Sequence, residues 1–115
     1  MVIRDHRISV PLDYNNIQSE KITVFFREVI REKYQTKNLP YLIYFQGGPG
    51  YESPRPITLS GWIKKASSEY RVLLLDQRGT GLSSPVTFEL FQNQTDTQIA
   101  NYLMCFRADS IVKDA

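Results

Sequence analysis

Gln46, Gly47, Gly48, Pro49 and Gly50 follow directly on the run Tyr41-Leu42-Ile43-Tyr44-Phe45, which holds no charged residue. An apolar run that stops at a glycine cluster reads as a buried strand emptying into a tight loop. Without side chains in the way, such a loop turns sharply and brings bare backbone N–H groups close to a ligand. Its chemistry is therefore that of an anion cradle built from backbone donors, although the same residues also suit a plain turn. A second glycine motif, Asp76-Gln77-Arg78-Gly79-Thr80-Gly81, offers a carboxylate and a guanidinium. It has neither the GxxxxGK[ST] spacing nor a GxGxxG opening a helix, so nucleotide binding is a poor reading. His6 is the only histidine and Cys105 the only cysteine. A catalytic base needs a nucleophile and an orienting acid within reach, and the terminal position of His6 argues for a solvated strand residue. Cys105, in Asn101-Tyr102-Leu103-Met104-Cys105-Phe106, has no companion histidine or acid cluster and reads as a packed thiol. Nothing in the pattern asks for a metal or a cofactor.

The elements that must position these residues follow from local pattern. Residues 6–13 alternate around β-branched side chains and end in the turn-rich Tyr14-Asn15-Asn16, and residues 21–32 are dense in Val, Ile, Thr and Phe. Together they predict an antiparallel hairpin with a longish loop. The third strand is Tyr41 to Phe45. Beyond the glycine loop, Pro54 and Pro56 keep the chain extended. A helix is expected over residues 61–69, with Ser60 as N-cap and Trp62, Ile63 and Ala66 facing the core. Residues 71–75 form another buried strand, completing a βαβ unit with a parallel strand pair. After a polar surface excursion to Gln94, Thr95 and Gln98 make a capping-box pattern for a helix through Phe106, and a further helix begins at Arg107.

Composition narrows the class. At 115 residues, 42% hydrophobic and 23% charged, the chain has the make-up of one soluble globular unit. The net charge of +2 arises from interspersed signs with no basic stripe, which argues against nucleic acid as a partner. The charged N-terminus lacks the apolar stretch of a signal peptide and no run reaches membrane-span length, so a cytoplasmic protein without membrane association is expected. A single cysteine excludes an internal disulfide and fits a reducing compartment.

Three blocks carry a resemblance. QGGPGYESPRP, the stretch Leu74-Leu75-Asp76-Gln77-Arg78-Gly79-Thr80-Gly81, and Phe106-Arg107-Ala108-Asp109-Ser110-Ile111-Val112 stand in the order and spacing of the prolyl aminopeptidases, or proline iminopeptidases. From about His6 to Ala115 the chain resembles the N-terminal part of these serine peptidases of the α/β-hydrolase fold. The resemblance implies an α/β fold, an antiparallel hairpin followed by a βαβ unit, with residues 1–115 an incomplete portion of the domain that stops before the nucleophile strand. It implies a loop of Gln46, Gly47, Gly48, Pro49 and Gly50 lining the substrate pocket, and Gly48 donating its N–H to the oxyanion. It makes Asp76 and Arg78 structural supports that brace the loop at residues 47–53, since the triad acid of this fold comes after the nucleophile.

The sequence itself contains no GxSxG elbow: Ser83 follows Gly81 by two residues but precedes Ser84-Pro85. Nucleophile, acid and histidine are all missing from the expected order. The leading expectation is thus an N-terminal fragment of an enzyme that releases N-terminal proline from peptides, inactive by itself. The alternatives are a non-catalytic gene remnant or interaction module and, within the same class, an epoxide-hydrolase-like protein. The edge of Tyr41 to Phe45, apolar and uncharged, is expected to remain unpaired and to promote self-association.

Overall fold

The computed structural model describes residues 1–47 and 50–115, with Phe88 through its backbone alone. Strands β1 (Val2–Pro11) and β2 (Lys21–Ile30) pair antiparallel over their full length, from Val2 opposite Ile30 to Pro11 opposite Lys21. β2 also pairs antiparallel with β4 (Arg71–Asp76), which pairs in parallel with β3 (Tyr41–Phe45). The resulting order, β1-β2-β4-β3, makes a mixed four-stranded sheet with β3 at one edge. The β3-to-β4 crossover carries α1 (Gly61–Ala66), while α2 (Asp96–Met104) and α3 (Ala108–Asp114) follow β4. β1 begins earlier than the sequence pattern indicated, because the continuous ladder with β2 holds residues 2–5 extended.

Strand alternation divides the apolar residues between the two sheet faces. Val10, Leu12, Ile22, Val24 and Leu75 form one buried cluster, covered by Tyr102, Cys105 and Phe106. Val29, Ile63, Val72 and Leu74 form the other, capped by α1. Helix α1 is shorter than expected and ends at Ala66. The hydroxyls of Ser67 and Ser68 donate to the Lys64 and Lys65 carbonyls, competing with continued helix. Ser60 occupies the N-cap position without a side-chain capping bond. Ile63 is buried as anticipated, but Trp62 stays exposed, its ring 4.8 Å from that of Tyr44. Helix α2 carries the expected capping box: Gln98 N donates to Thr95 Oγ1 at 3.2 Å and Thr95 N to Gln98 Oε1 at 2.9 Å. It ends at Met104, two residues before Phe106, which turns inward beside Tyr102.

Where β4 ends, two serines take over as partners of β2. Phe25 N donates to Ser83 Oγ at 2.9 Å and Thr23 N to Ser84 Oγ at 2.8 Å, while Ser84 N returns a bond to Thr23 O. The radius of gyration is 16.1 Å, against roughly 13 Å for a compact domain of about this length, so the molecule is an elongated slab. Tyr41, Leu42 and Phe45 on β3 are exposed.

Candidate functional site

The glycine loop and the Asp76–Gly81 motif meet because parallel neighbours β3 and β4 end at the same edge of the sheet. Gly48 and Pro49, including the oxyanion candidate, lie outside the described residues. Of the remaining loop residues, Gln46 is half-buried and Gly47 and Gly50 are exposed. A side chain at Gly47 would meet open space, whereas Gly50 has φ of +133°, a conformation that needs glycine. The carboxamide of Gln77 donates to the Gln46 carbonyl at 3.1 Å, tying the exit of β3 to the exit of β4.

Asp76 is fully buried and accepts four hydrogen bonds. Its Oδ1 takes Ser53 N and Arg55 Nη1, both at 2.9 Å, and its Oδ2 takes Arg55 Nη2 at 2.5 Å and Leu82 N at 2.9 Å. Burial alone would raise this carboxyl, but the Arg55 guanidinium and the two backbone N–H groups outweigh it and hold the carboxyl below its usual range. Asp76 is therefore a carboxylate spanning the glycine loop, the extended segment after it and the turn at Leu82. Gly81 permits the approach: a Cβ there would lie 2.2 Å from Asp76 Oδ2 and 2.7 Å from Glu52 Cβ.

Arg78 is placed differently from the sequence expectation. Among the described residues its hydrogen bonds run away from the glycine loop. Nε and Nη2 grip Asp114 at 2.7 Å each, Nη1 donates to the Leu12 and Cys105 carbonyls at 2.7 Å, and Nη2 also reaches Pro11 O at 3.0 Å. The guanidinium lies over the ring of Tyr14, 5.3 Å from its centroid, and over that of Phe106, 5.9 Å from its centroid. Asp76 is the last residue of β4, whereas Arg78 lies in the turn beyond it, so strand alternation, which would put residues two apart on one face, no longer applies, and Arg78 faces the hairpin connection and α3. The guanidinium partner of Asp76 is Arg55. Tyr14 donates to Asp114 at 2.6 Å, and burial, with that bond and charge, pushes its phenol up to about 12.

The remaining candidates have structural partners. His6 is not simply solvated: its Nε2 lies 3.1 Å from Glu28 Oε1 and its ring stacks on Phe26. Glu28, buried, also accepts from Arg71 at 2.9 Å; burial raises its carboxyl, and the bonds from Arg71 and His6 more than reverse that. Ser83 is buried, with its hydroxyl donating to Asp76 O at 2.6 Å, and is engaged in the sheet rather than in a pocket. Cys105 packs against the first cluster, and burial raises its thiol. No group of three or more His, Cys, Asp or Glu able to hold a metal occurs among the described residues. Nor is any helix among them long and apolar enough to cross a membrane.

Sequence reasoning missed Arg55, Gln77 and Asp114. An arginine between Pro54 and Pro56, in a segment without regular structure, was the available signal for Arg55. The other two depend on tertiary approach.

No protein-family model matches the chain. Among curated proteins it is 51% identical over 111 residues to a proline iminopeptidase of Aeromonas sobria, covering 96% of the chain and 26% of that protein. It is 36% identical over 110 residues to proline iminopeptidase aneH of Aspergillus aculeatus, covering 94% of the chain and 25% of that protein. The chain thus spans about a quarter of the length of the curated relatives it matches. Its glycine loop, its Asp76–Gly81 motif and their junction belong to a homologue of the proline iminopeptidases, corresponding to one quarter of such a protein.

Proposed function

We propose that the chain supplies the oxyanion loop of a cytoplasmic α/β-hydrolase-fold serine aminopeptidase that releases N-terminal proline from peptides. In this reading residues 1–115 are an incomplete portion of the catalytic domain. Gln46, Gly47, Gly48, Pro49 and Gly50 form the rim of the substrate pocket. The Gly48 N–H donates to the tetrahedral oxyanion, a contribution of about 3 kcal/mol to the transition state for a good donor. Asp76 braces the loop, whereas Arg78 supports the site from behind by fixing α3. The nucleophile, acid and histidine come from elsewhere in the enzyme. The observation that carries this reading is that Gln46 and Ser53, on either side of the glycine loop, are tied to the β4 exit in a chain half identical to a proline iminopeptidase.

The test is a chimera in which this chain replaces the matching quarter of the Aeromonas sobria protein, assayed for release of proline from a proline anilide. Turnover within about tenfold of the parent is expected, since the loop and its supports are all carried by this segment. A folded chimera that binds substrate but shows no turnover would overturn the assignment. The chain alone is expected to leave a serine-directed phosphonate unreacted, because an oxyanion donor has nothing to stabilise without a nucleophile.

A further inference from the structure

We infer that Gln77 is a positioning residue that sets the orientation of the glycine loop, acting with the Arg55–Asp76 pair as a clamp on both ends of that loop. Consecutive residues at the β4 exit hold the two ends. Gln77 Nε2 takes the carbonyl of Gln46 at the start, at 3.1 Å, and Asp76 takes the N–H of Ser53 at the finish, at 2.9 Å. Both contacts are made to backbone atoms, so they fix peptide planes and leave side-chain identity in the loop free.

The contact at the start has the more direct consequence. In a trans peptide the carbonyl of one residue and the N–H of the next point in opposite directions. Turning Gln46 O toward Gln77 therefore turns the Gly47 N–H away from the β4 exit. The amide orientation of Gln77 is fixed by the same bond, since the alternative would set two oxygens against each other. Gln77 is only 6% exposed, and its Oε1 has no hydrogen-bond partner among the described residues. A half-satisfied buried carboxamide is an expensive way to fill space that leucine would fill as well. Its presence here fits a side chain whose role is the one bond it makes. At the far end, the Arg55 guanidinium grips both oxygens of Asp76 while donating to Ser53 O at 3.0 Å, so it fixes the carboxylate that fixes the loop.

The catalytic consequence rests on the function proposed above, but the fixation of the loop does not. The first measurement is therefore made on the 115-residue chain, as backbone amide order parameters in the wild type, Gln77→Glu and Gln77→Ser. Glutamate keeps the size and loses the donor; serine removes the contact with the least bulk and serves where glutamate is not accommodated. The Gly47 order parameter is expected to fall from about 0.85 to below about 0.6, with Val24 and Val72 unchanged. A Gly47 amide already mobile in the wild type, or unmoved in the variants, overturns the inference, as does an equal loss at Val24 and Val72. The second measurement places Gln77→Glu in the chimera, where kcat is expected to fall about a hundredfold with KM within about twofold. Loss through KM alone would reduce Gln77 to a binding or structural residue. An inactive parent chimera would count against the proposed function, and the order parameters would still decide the clamp.

Discussion

Arg78→Met is the most informative single change, because the structure makes its effect both large and separable. The guanidinium is completely buried, and its partner Asp114 nearly so. Removing one member of a buried ion pair typically costs about 3–5 kcal/mol, since the other charge is left without compensation. The Pro11, Leu12 and Cys105 carbonyls lose a donor as well, each worth about 1 kcal/mol where water does not replace it. The sum, about 6–8 kcal/mol, is a large share of a total stability of roughly 5–15 kcal/mol. The companion variant Arg78→Met with Asp114→Leu removes the stranded charge and is expected to recover about 2 kcal/mol of the loss. Arg78→Lys keeps the charge but not the bidentate geometry, and falls between. Urea unfolding followed by far-ultraviolet circular dichroism measures all of these. A loss below about 1 kcal/mol for Arg78→Met, or a double variant no more stable than the single, would refute the account of Arg78 as the hub joining the hairpin connection to α3.

Three other outcomes are expected. Gly81→Ala, at φ of +49° with a Cβ 2.2 Å from Asp76 Oδ2, should destabilise by about 2–4 kcal/mol in the same urea assay; a change under about 1 kcal/mol would mean the two loops separate freely. Tyr14, whose phenol is raised from 10.0 to about 12, binds its proton more tightly folded than unfolded, so its contribution is complete below pH 10.0 and is lost as pH rises to about 12. Alkaline titration should show stability falling across that window in the wild type and a flatter profile in Tyr14→Phe; identical profiles would exclude Tyr14 as the source. The uncharged β3 edge should drive association, so size-exclusion chromatography should show species larger than the 13.3 kDa monomer, shifted toward monomer by Tyr41→Lys. A monodisperse wild-type monomer would dismiss the edge argument.

The sequence was most readable where a signal is local. The alternation in residues 6–13, the Val, Ile, Thr and Phe density of residues 21–32, the apolar stop at Gln46 and the Thr95/Gln98 box each specify structure within a few residues, and the strands and α2 appear there. Local signals misjudged ends and faces. α1 stops early because Ser67 and Ser68 bond the preceding turn, and Trp62 finds Tyr44 on the surface instead of the core. The site was half legible. Glycine spacing marked both loops, but which guanidinium meets Asp76 depends on how the chain turns after β4 ends. The resemblance made Asp76 and Arg78 joint supports of the loop, whereas the guanidinium that pairs with Asp76 is that of Arg55, which returns across 21 residues. His6 looked solvated because its partner, Glu28, stands on the neighbouring strand.

The grip of Arg78 on Asp114 also dictates an order of events. The β1–β2 hairpin and the β3–β4 crossover can form from neighbouring segments as the chain emerges, whereas Arg78 waits for an acceptor 36 residues further on and Tyr14 for the same acceptor 100 residues on. The Tyr14–Asp114 separation exceeds that of every strand pair in the sheet, so the contact that brings Asp114 to the hairpin connection carries the larger closure entropy and tends to be made late. The sheet would then assemble around an arginine whose charge is still hydrated, and expulsion of that water would coincide with docking of α3. Interactions absent from the transition state change the rate of unfolding more than the rate of folding. The Arg78–Asp114 pair is thus a latch fastened after assembly, governing how long the folded chain lasts more than how quickly it forms.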